Sequence, residues 1–216
     1  MAALLHRDRS GAALLPLLVR ASGLDVEEWL RRYLGCYLAP LLHCFYQHDL
    51  AFMPHGENIV LVLERQVPVA VWLKDIAEEA AIMNTALPLP EPVQRLAVAV
   101  PDELKTLVIF TDVFDGFLRF MAALLASEGA CSEDRFWFLV AECVSDYQQA
   151  HPQFRERFER YDLFAPEFAH SCLNRLQLRN NRHMLDLADP VQGLAFAGTL
   201  ENPIARFRTL AEAPSV

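Results

Sequence analysis

Two β-branched runs set two residues apart constrain this 216-residue chain most: Ile59 to Glu64 reads IVLVLE, and Val67 to Asp75 reads VPVAVWLKD. Runs this rich in valine and leucine, this close together, predict a β-hairpin with its turn near Arg65 and Gln66. Neither run alternates cleanly between apolar and polar residues, so both faces are expected to be covered, by helices. Pro68 is expected at the start of its strand or on an edge.

The material to cover them is helical. From Asp25 to about Phe45 the apolar residues Val26, Trp29, Leu30, Tyr33, Leu34, Tyr37, Leu38, Leu41, Leu42 and Phe45 recur at three- and four-residue steps, the signature of a long amphipathic helix. Asp25 followed by Glu28 fits a capping box at its start, and Pro40 is expected to bend the helix or end its first half. A proline-rich connection, LPLPEPVQ, reads as an extended loop. Pro101 and Asp102 then open a helix to about Ala126, Ser132 starts another through Gln149, and a short one covers Gln153 to Arg160. Pro166 is expected to lead into a helix from Glu167 to about Met184, with an irregular tail from Asp189 onward. The expected class is α+β: one mostly helical domain packed around a small antiparallel hairpin.

Composition limits the partners. Nineteen basic against 28 acidic residues give a net charge of -9, which removes the attraction that nonspecific nucleic-acid binding needs. Cys36, Cys44, Cys131, Cys143 and Cys172 form no CxxC pair and read as reduced core thiols of a cytoplasmic protein. No uncharged run is long enough to span a bilayer, and the opening MAALLHRDRSGAALLPLLVR offers no signal-peptide core.

The chemistry-bearing stretch is FMPHGENIVLVLERQVPVAVWLKDIAEEA. Gly56 after His55 permits a tight turn or a close backbone approach, and Asn58 stands where the chain enters its strand. A hairpin can return Asp75 to the neighbourhood of Asn58. Mg²⁺ prefers few protein ligands, such as a carboxylate and an amide, and takes the rest from phosphate oxygens and water. Asn58 and Asp75 supply that pair, and His55 is positioned to donate a hydrogen bond to a phosphate whose charge grows in the transition state. The pattern points to nucleotide-dependent transfer without saying which bond breaks.

The run HDLAFMPHGENIVLVLE, followed by VWLKDIAEEA and later by SCLNRLQLRNN and FAGTLENP, resembles the C-terminal, FhuF-like region of the NRPS-independent siderophore synthetases of the IucA/IucC type, the alcaligin synthetase branch in particular. The resemblance covers essentially the whole chain. It implies an enzyme that activates a carboxylate with ATP and Mg²⁺ as an acyl-adenylate and lets an amine or hydroxyl attack it. On that reading His55 and Asn58 contact the nucleotide phosphates, Asp75 holds Mg²⁺, Glu57 is a neighbour of that site, and Arg179 and Arg175 lie near the acyl-substrate pocket. It also implies a homodimer, a missing N-terminal half that supplies further phosphate-binding residues, and an isolated chain that binds ATP weakly or not at all and does not turn over. One departure is Met53, where many relatives carry a glutamate that ligates the metal.

Simpler readings stand beside these. His55 alone reads as a turn histidine, Asp75 as the N-cap of an IAEEAA helix, and His43 and His48 as surface or boundary residues. Arg175 and Arg179 share a helix face that solvent or Glu167 could satisfy. Phe110, Phe114, Phe117 and Phe120, with Phe136, Trp137 and Phe138, read as core. Competing functions are a kinase-like phosphotransferase, which would release ADP, a FhuF-like ferric reductase, which would need closely spaced thiolates, and a scaffolding domain.

Overall fold

A computed structural model describes residues 1–76, 80–84, 86–171 and 196–209. The architecture is α+β, mostly helical, with three separate two-stranded antiparallel ladders among the described residues. After a first helix, α1 (Leu14–Ser22), the chain enters α2 (Val26–His48), the axis of the molecule. Asp25 caps α2 by accepting from the Glu28 N–H at 2.9 Å. The reciprocal half of a capping box is replaced by an ion pair of the Glu28 carboxylate with Arg32.

Pro40 does not end α2, which runs unbroken to His48. A proline inside a helix costs about 3 kcal/mol. The opposite face buries Trp29, Leu30, Tyr33, Leu34, Tyr37, Leu38, Leu41, Leu42, Phe45 and Tyr46, each contributing about 1.5–3 kcal/mol. Pro40 itself is exposed, so water can solvate the carbonyl it leaves unbonded. Packing along ten side chains outweighs one lost hydrogen bond.

The hairpin forms where the sequence predicts it, as β2 (Ile59–Glu64) and β3 (Val67–Leu73). Arg65 and Gln66 both have positive φ, 50° and 65°, the conformation of a two-residue turn whose twist matches the strands. The Trp29 indole N–H pins that turn by donating to the Gln66 carbonyl at 2.9 Å. Among the described residues only one face is covered, where the unbroken apolar runs led to the expectation of two. Ile59, Leu61, Val71 and Leu73 pack on the core, while Val60 and Trp72, paired across the ladder, are 46% and 69% exposed. A bulge between Val62 and Leu63 lets Pro68 point inward and leaves Val69 on the open side.

Two further ladders were not legible in advance. β1 (Leu50–Phe52) pairs with β4 (Ala80–Ile82) immediately after α2. β5 (Glu167–Ser171) pairs with β6 (Phe196–Glu201), so the helix expected from Glu167 starts as a strand and the tail expected to be irregular contains one. Phe168 on β5 stacks on Phe110 with ring centroids 4.6 Å apart, and the Thr199 hydroxyl donates to Glu167 at 2.7 Å. Pairing with a segment about thirty residues away overrides the local pattern.

The helix expected from Asp102 to Ala126 is a succession of windings: α3 (Asp102–Lys105), α4 (Leu107–Ile109), a π-helix at Phe110–Leu118 and α5 (Arg119–Ser127). Gly116 fits the wide π turn because a Cβ there would come within 2.8 Å of the Thr111 carbonyl oxygen. Phe110, Phe114 and Phe117 are buried as expected, whereas Phe120 is 48% exposed beside Arg119. α6 (Glu133–Ala150), capped by Ser132, packs along α2, and the short α7 (Arg155–Arg160) follows. Among the described residues no helix is long and apolar enough to cross a membrane.

Candidate functional site

The site is built outward from α2. Its buried face carries Trp29, Tyr33 and Tyr37 at successive turns, their rings 5.8 and 5.5 Å apart. Trp29 holds the far turn of the hairpin, and Tyr37 holds the near end, donating from its hydroxyl to the Pro54 carbonyl at 2.8 Å. Pro54 leads directly into His55. From there the chain turns back at once, with the Asn58 N–H donating to the His55 carbonyl at 3.1 Å. Gly56 is required here by close approach: the Ala2 N–H donates to its carbonyl at 2.8 Å, and a Cβ would stand 2.9 Å from that nitrogen.

The turn brings two of the three expected side chains into contact. Asn58 is buried, and its Nδ2 lies 3.2 Å from the Met53 carbonyl oxygen and 3.1 Å from His55 Nε2. The Met53 carbonyl fixes which end of the carboxamide is the donor, so Nε2 of His55 is the acceptor and its proton sits on Nδ1. The Glu57 N–H faces Nδ1 at 3.4 Å, a distance too long to compete. Asn58 and His55 are thereby joined side chain to side chain.

Asp75 arrives on the return strand. The Lys74 N–H donates to the Asn58 carbonyl at 3.0 Å, extending the ladder one step past the Ile59 and Leu73 pair, so Asp75 follows directly on the residue bonded to Asn58. Its φ of 57° is left-handed, and most of the first turn of the segment it was expected to cap lies outside the described residues. The Asp75 carboxylate is half exposed and pairs with Lys74. Hence the backbone gathers all three residues at one end of the hairpin, while direct side-chain contact joins only His55 and Asn58. Arg175 and Arg179 lie outside the described residues.

This end of the hairpin is an open lip. A groove of about 530 Å³ beside Glu133, Trp137, Glu201 and Arg206, and one of about 350 Å³ between α2 and α6, are both lined by other residues. Met53, in the position expected to ligate metal in relatives, is exposed. Among the described residues no three His, Cys, Asp or Glu side chains are arranged to hold a metal ion by themselves. The described cysteines are free thiols on α2, on α6 and in the loop after α5, and burial raises the pKa of each, that of Cys143 to about 12. Burial thus disfavours the thiolate that a cluster would require.

Sequence reasoning missed two residues with structural weight at this end and beyond. Tyr37 looked like one more core position, and nothing in a periodic pattern marks the hydroxyl that anchors Pro54. Asn202, in the FAGTLENP segment, is buried and donates to the Leu163 and Ala165 carbonyls at 2.8 and 2.7 Å while accepting from the Ile204 N–H, tying β6 to the loop before β5.

Comparison with known proteins agrees with this fold. The family described as "Ferric iron reductase FhuF-like transporter" matches residues 27–186. The putrebactin synthase of Shewanella sp. (strain MR-4) is 51% identical over 208 residues, which are 96% of this chain and 33% of that protein. Among solved structures, the aerobactin synthetase IucC from a hypervirulent pathotype of Klebsiella pneumoniae matches with a TM-score of 0.72 at 34% identity, covering 77% of this chain and 31% of that one. The petrobactin biosynthesis protein AsbB from Bacillus anthracis str. Sterne shares the fold with a TM-score of 0.78 at 22% identity, over 96% of this chain and 35% of that one. The chain spans about a third of the length of the relatives it matches. It belongs to the FhuF-like family, as the FhuF-like C-terminal region of the NRPS-independent siderophore synthetases.

Proposed function

We propose that this chain is a single palm-like domain forming one wall of an ATP-dependent siderophore synthetase, and that the lip at His55, Asn58 and Asp75 seats the triphosphate of ATP with its Mg²⁺. The observation that carries the reading is the His55 and Asn58 side-chain pair at the root of the hairpin, with Asp75 delivered next to it by the ladder. The identity to a protein named putrebactin synthase supports the reaction class.

The residues fit the metal. Asn58 offers an amide oxygen and Asp75 a carboxylate that can swing off Lys74, both hard oxygen donors, and Mg²⁺ is satisfied by one or two of these when phosphates and water complete its shell. Bound there, Mg²⁺ would neutralise charge on the phosphate oxygens. His55, its ring held by Asn58, then donates a hydrogen bond to a phosphate oxygen. A substrate carboxylate oxygen bonds to the α-phosphorus and pyrophosphate leaves. An amine or hydroxyl next attacks the acyl carbon and AMP leaves, giving an amide or ester.

Arg179, with Arg175 as the weaker candidate, is assigned to the carboxylate substrate, Glu57 to the edge of the phosphate site, and the rest of the synthetase to the further phosphate-binding groups. The resemblance adds a homodimer working in the cytoplasm on a hydroxamate-bearing succinyl compound and an amine. The test is product identity: the complete synthetase, given ATP, dicarboxylate monoamides and polyamines, should release AMP and pyrophosphate. ADP as the product would reject the reading.

A further inference from the structure

Two neighbouring residues of opposite charge meet where β3 ends. Side chains alternate between the two faces of a strand, so Lys74 and Asp75 would point apart if β3 ran on. The left-handed φ of 57° at Asp75 breaks that alternation, and its carboxylate meets the Lys74 ammonium. Both side chains are half exposed, so packing locks neither of them in place. The Lys74 N–H meanwhile donates to the Asn58 carbonyl at 3.0 Å, which roots this long side chain beside the His55 and Asn58 pair.

The carboxylate assigned to the metal thus already holds a cation. To accept bare Mg²⁺, Asp75 would have to give up the ammonium and leave two like charges side by side. A triphosphate removes the conflict, because its oxygens take the displaced ammonium as a point charge. Positive charge is needed at the lip, since Glu57 and Asp75 add negative charge there in a chain whose net charge is -9. We propose that Lys74 is an exchange residue: it holds the Asp75 carboxylate while the metal is absent and passes to a phosphate oxygen once Asp75 turns to the Mg²⁺ that accompanies the nucleotide. The pair thereby favours the metal–nucleotide complex over the free ion. This rests on the reading of the lip as a triphosphate site and adds how that site discriminates against metal alone.

The experiment uses the complete synthetase with Mn²⁺ in place of Mg²⁺, because both ions prefer oxygen ligands and unbound Mn²⁺ is counted by its electron paramagnetic resonance signal. Without nucleotide, Lys74→Met should bind Mn²⁺ roughly three-fold or more tighter than the wild type, the size expected for a half-exposed ion pair. At saturating Mg²⁺ the same variant should show a KM for ATP raised about five-fold or more, and Lys74→Arg should return both values towards the wild type. A lysine that only supported the fold would not move the two affinities in opposite directions. Mn²⁺ binding no tighter in Lys74→Met, or tighter Mn²⁺ binding with ATP unaffected, would overturn the exchange. Asp75→Asn separates this from the reading beneath it. If that variant loses Mn²⁺ while Lys74→Met changes nothing, the metal site stands and the exchange fails; if it binds Mn²⁺ as the wild type does, the metal does not sit on Asp75 and both are rejected.

Discussion

The Tyr37 hydroxyl donates to the Pro54 carbonyl at 2.8 Å inside the core, tying the residue before His55 to the middle of α2. The lip is thereby held by a rigid element on one side and by the β2 and β3 ladder on the other. Tyr37→Phe leaves the Pro54 carbonyl buried without its donor, which costs about 1–3 kcal/mol. The urea midpoint should fall accordingly, and amide exchange of residues 55–58 should accelerate. A variant with unchanged midpoint and exchange would mean that the ladder alone positions the loop.

The same buried phenols set the alkaline limit of stability. Burial raises the pKa of Tyr33, Tyr37 and Tyr46, and the nearby Asp112 charge adds to the effect at Tyr37. In the unfolded chain tyrosine titrates near about 10, so above that pH the unfolded state sheds protons that the native state retains. Their contribution to stability is complete below about pH 10 and is lost as pH rises further. Denaturant midpoints measured from pH 8 to 11 should decline past pH 10, less steeply for Tyr37→Phe. A flat profile would contradict the burial of these hydroxyls.

Gly56→Ala tests the close approach of the two backbones. The new methyl would meet the Ala2 nitrogen at 2.9 Å and force the turn or the N-terminal segment to shift. Overpacking of this kind costs about 1–3 kcal/mol. Thermal unfolding should register that loss, whereas Gly23→Ala, strained only by its φ of 75° with nothing within 4 Å, separates conformational strain from collision.

The Asn58 contact predicts the tautomer of His55. With Nε2 accepting, the neutral ring carries its proton on Nδ1. Nitrogen chemical shifts of the imidazole should show the Nδ1–H form in the wild type and a mixture weighted to Nε2–H in Asn58→Ala. A wild-type ring with its proton on Nε2 would reverse the hydrogen bond.

What the sequence disclosed and what it hid follow from the range of the forces involved. α2 was legible because its packing face repeats locally and Asp25 caps it, and the hairpin was legible because two β-branched runs flank a two-residue gap. β5 and β6 were not, since Glu167 finds its partner Glu201 only after the intervening chain, and the three-residue β1 and β4 are too short for a period. The π winding at Phe110–Leu118 spaces its apolar residues much as an α-helix does. In the site, His55, Gly56 and Asn58 could be named from spacing, but the exposure of Trp72 could not, because a continuous apolar strand reads the same whether one face or both are covered.

The central claim, that Asp75 serves the metal-bound triphosphate beside His55 and Asn58, is tested most directly by ATP-dependent AMP release in the complete synthetase carrying Asp75→Asn. The substitution preserves size and removes the charge, so folding and assembly mass should be unaltered while turnover falls by about a hundred-fold or more. Turnover within about two-fold of wild type would show that this carboxylate takes no part in the chemistry.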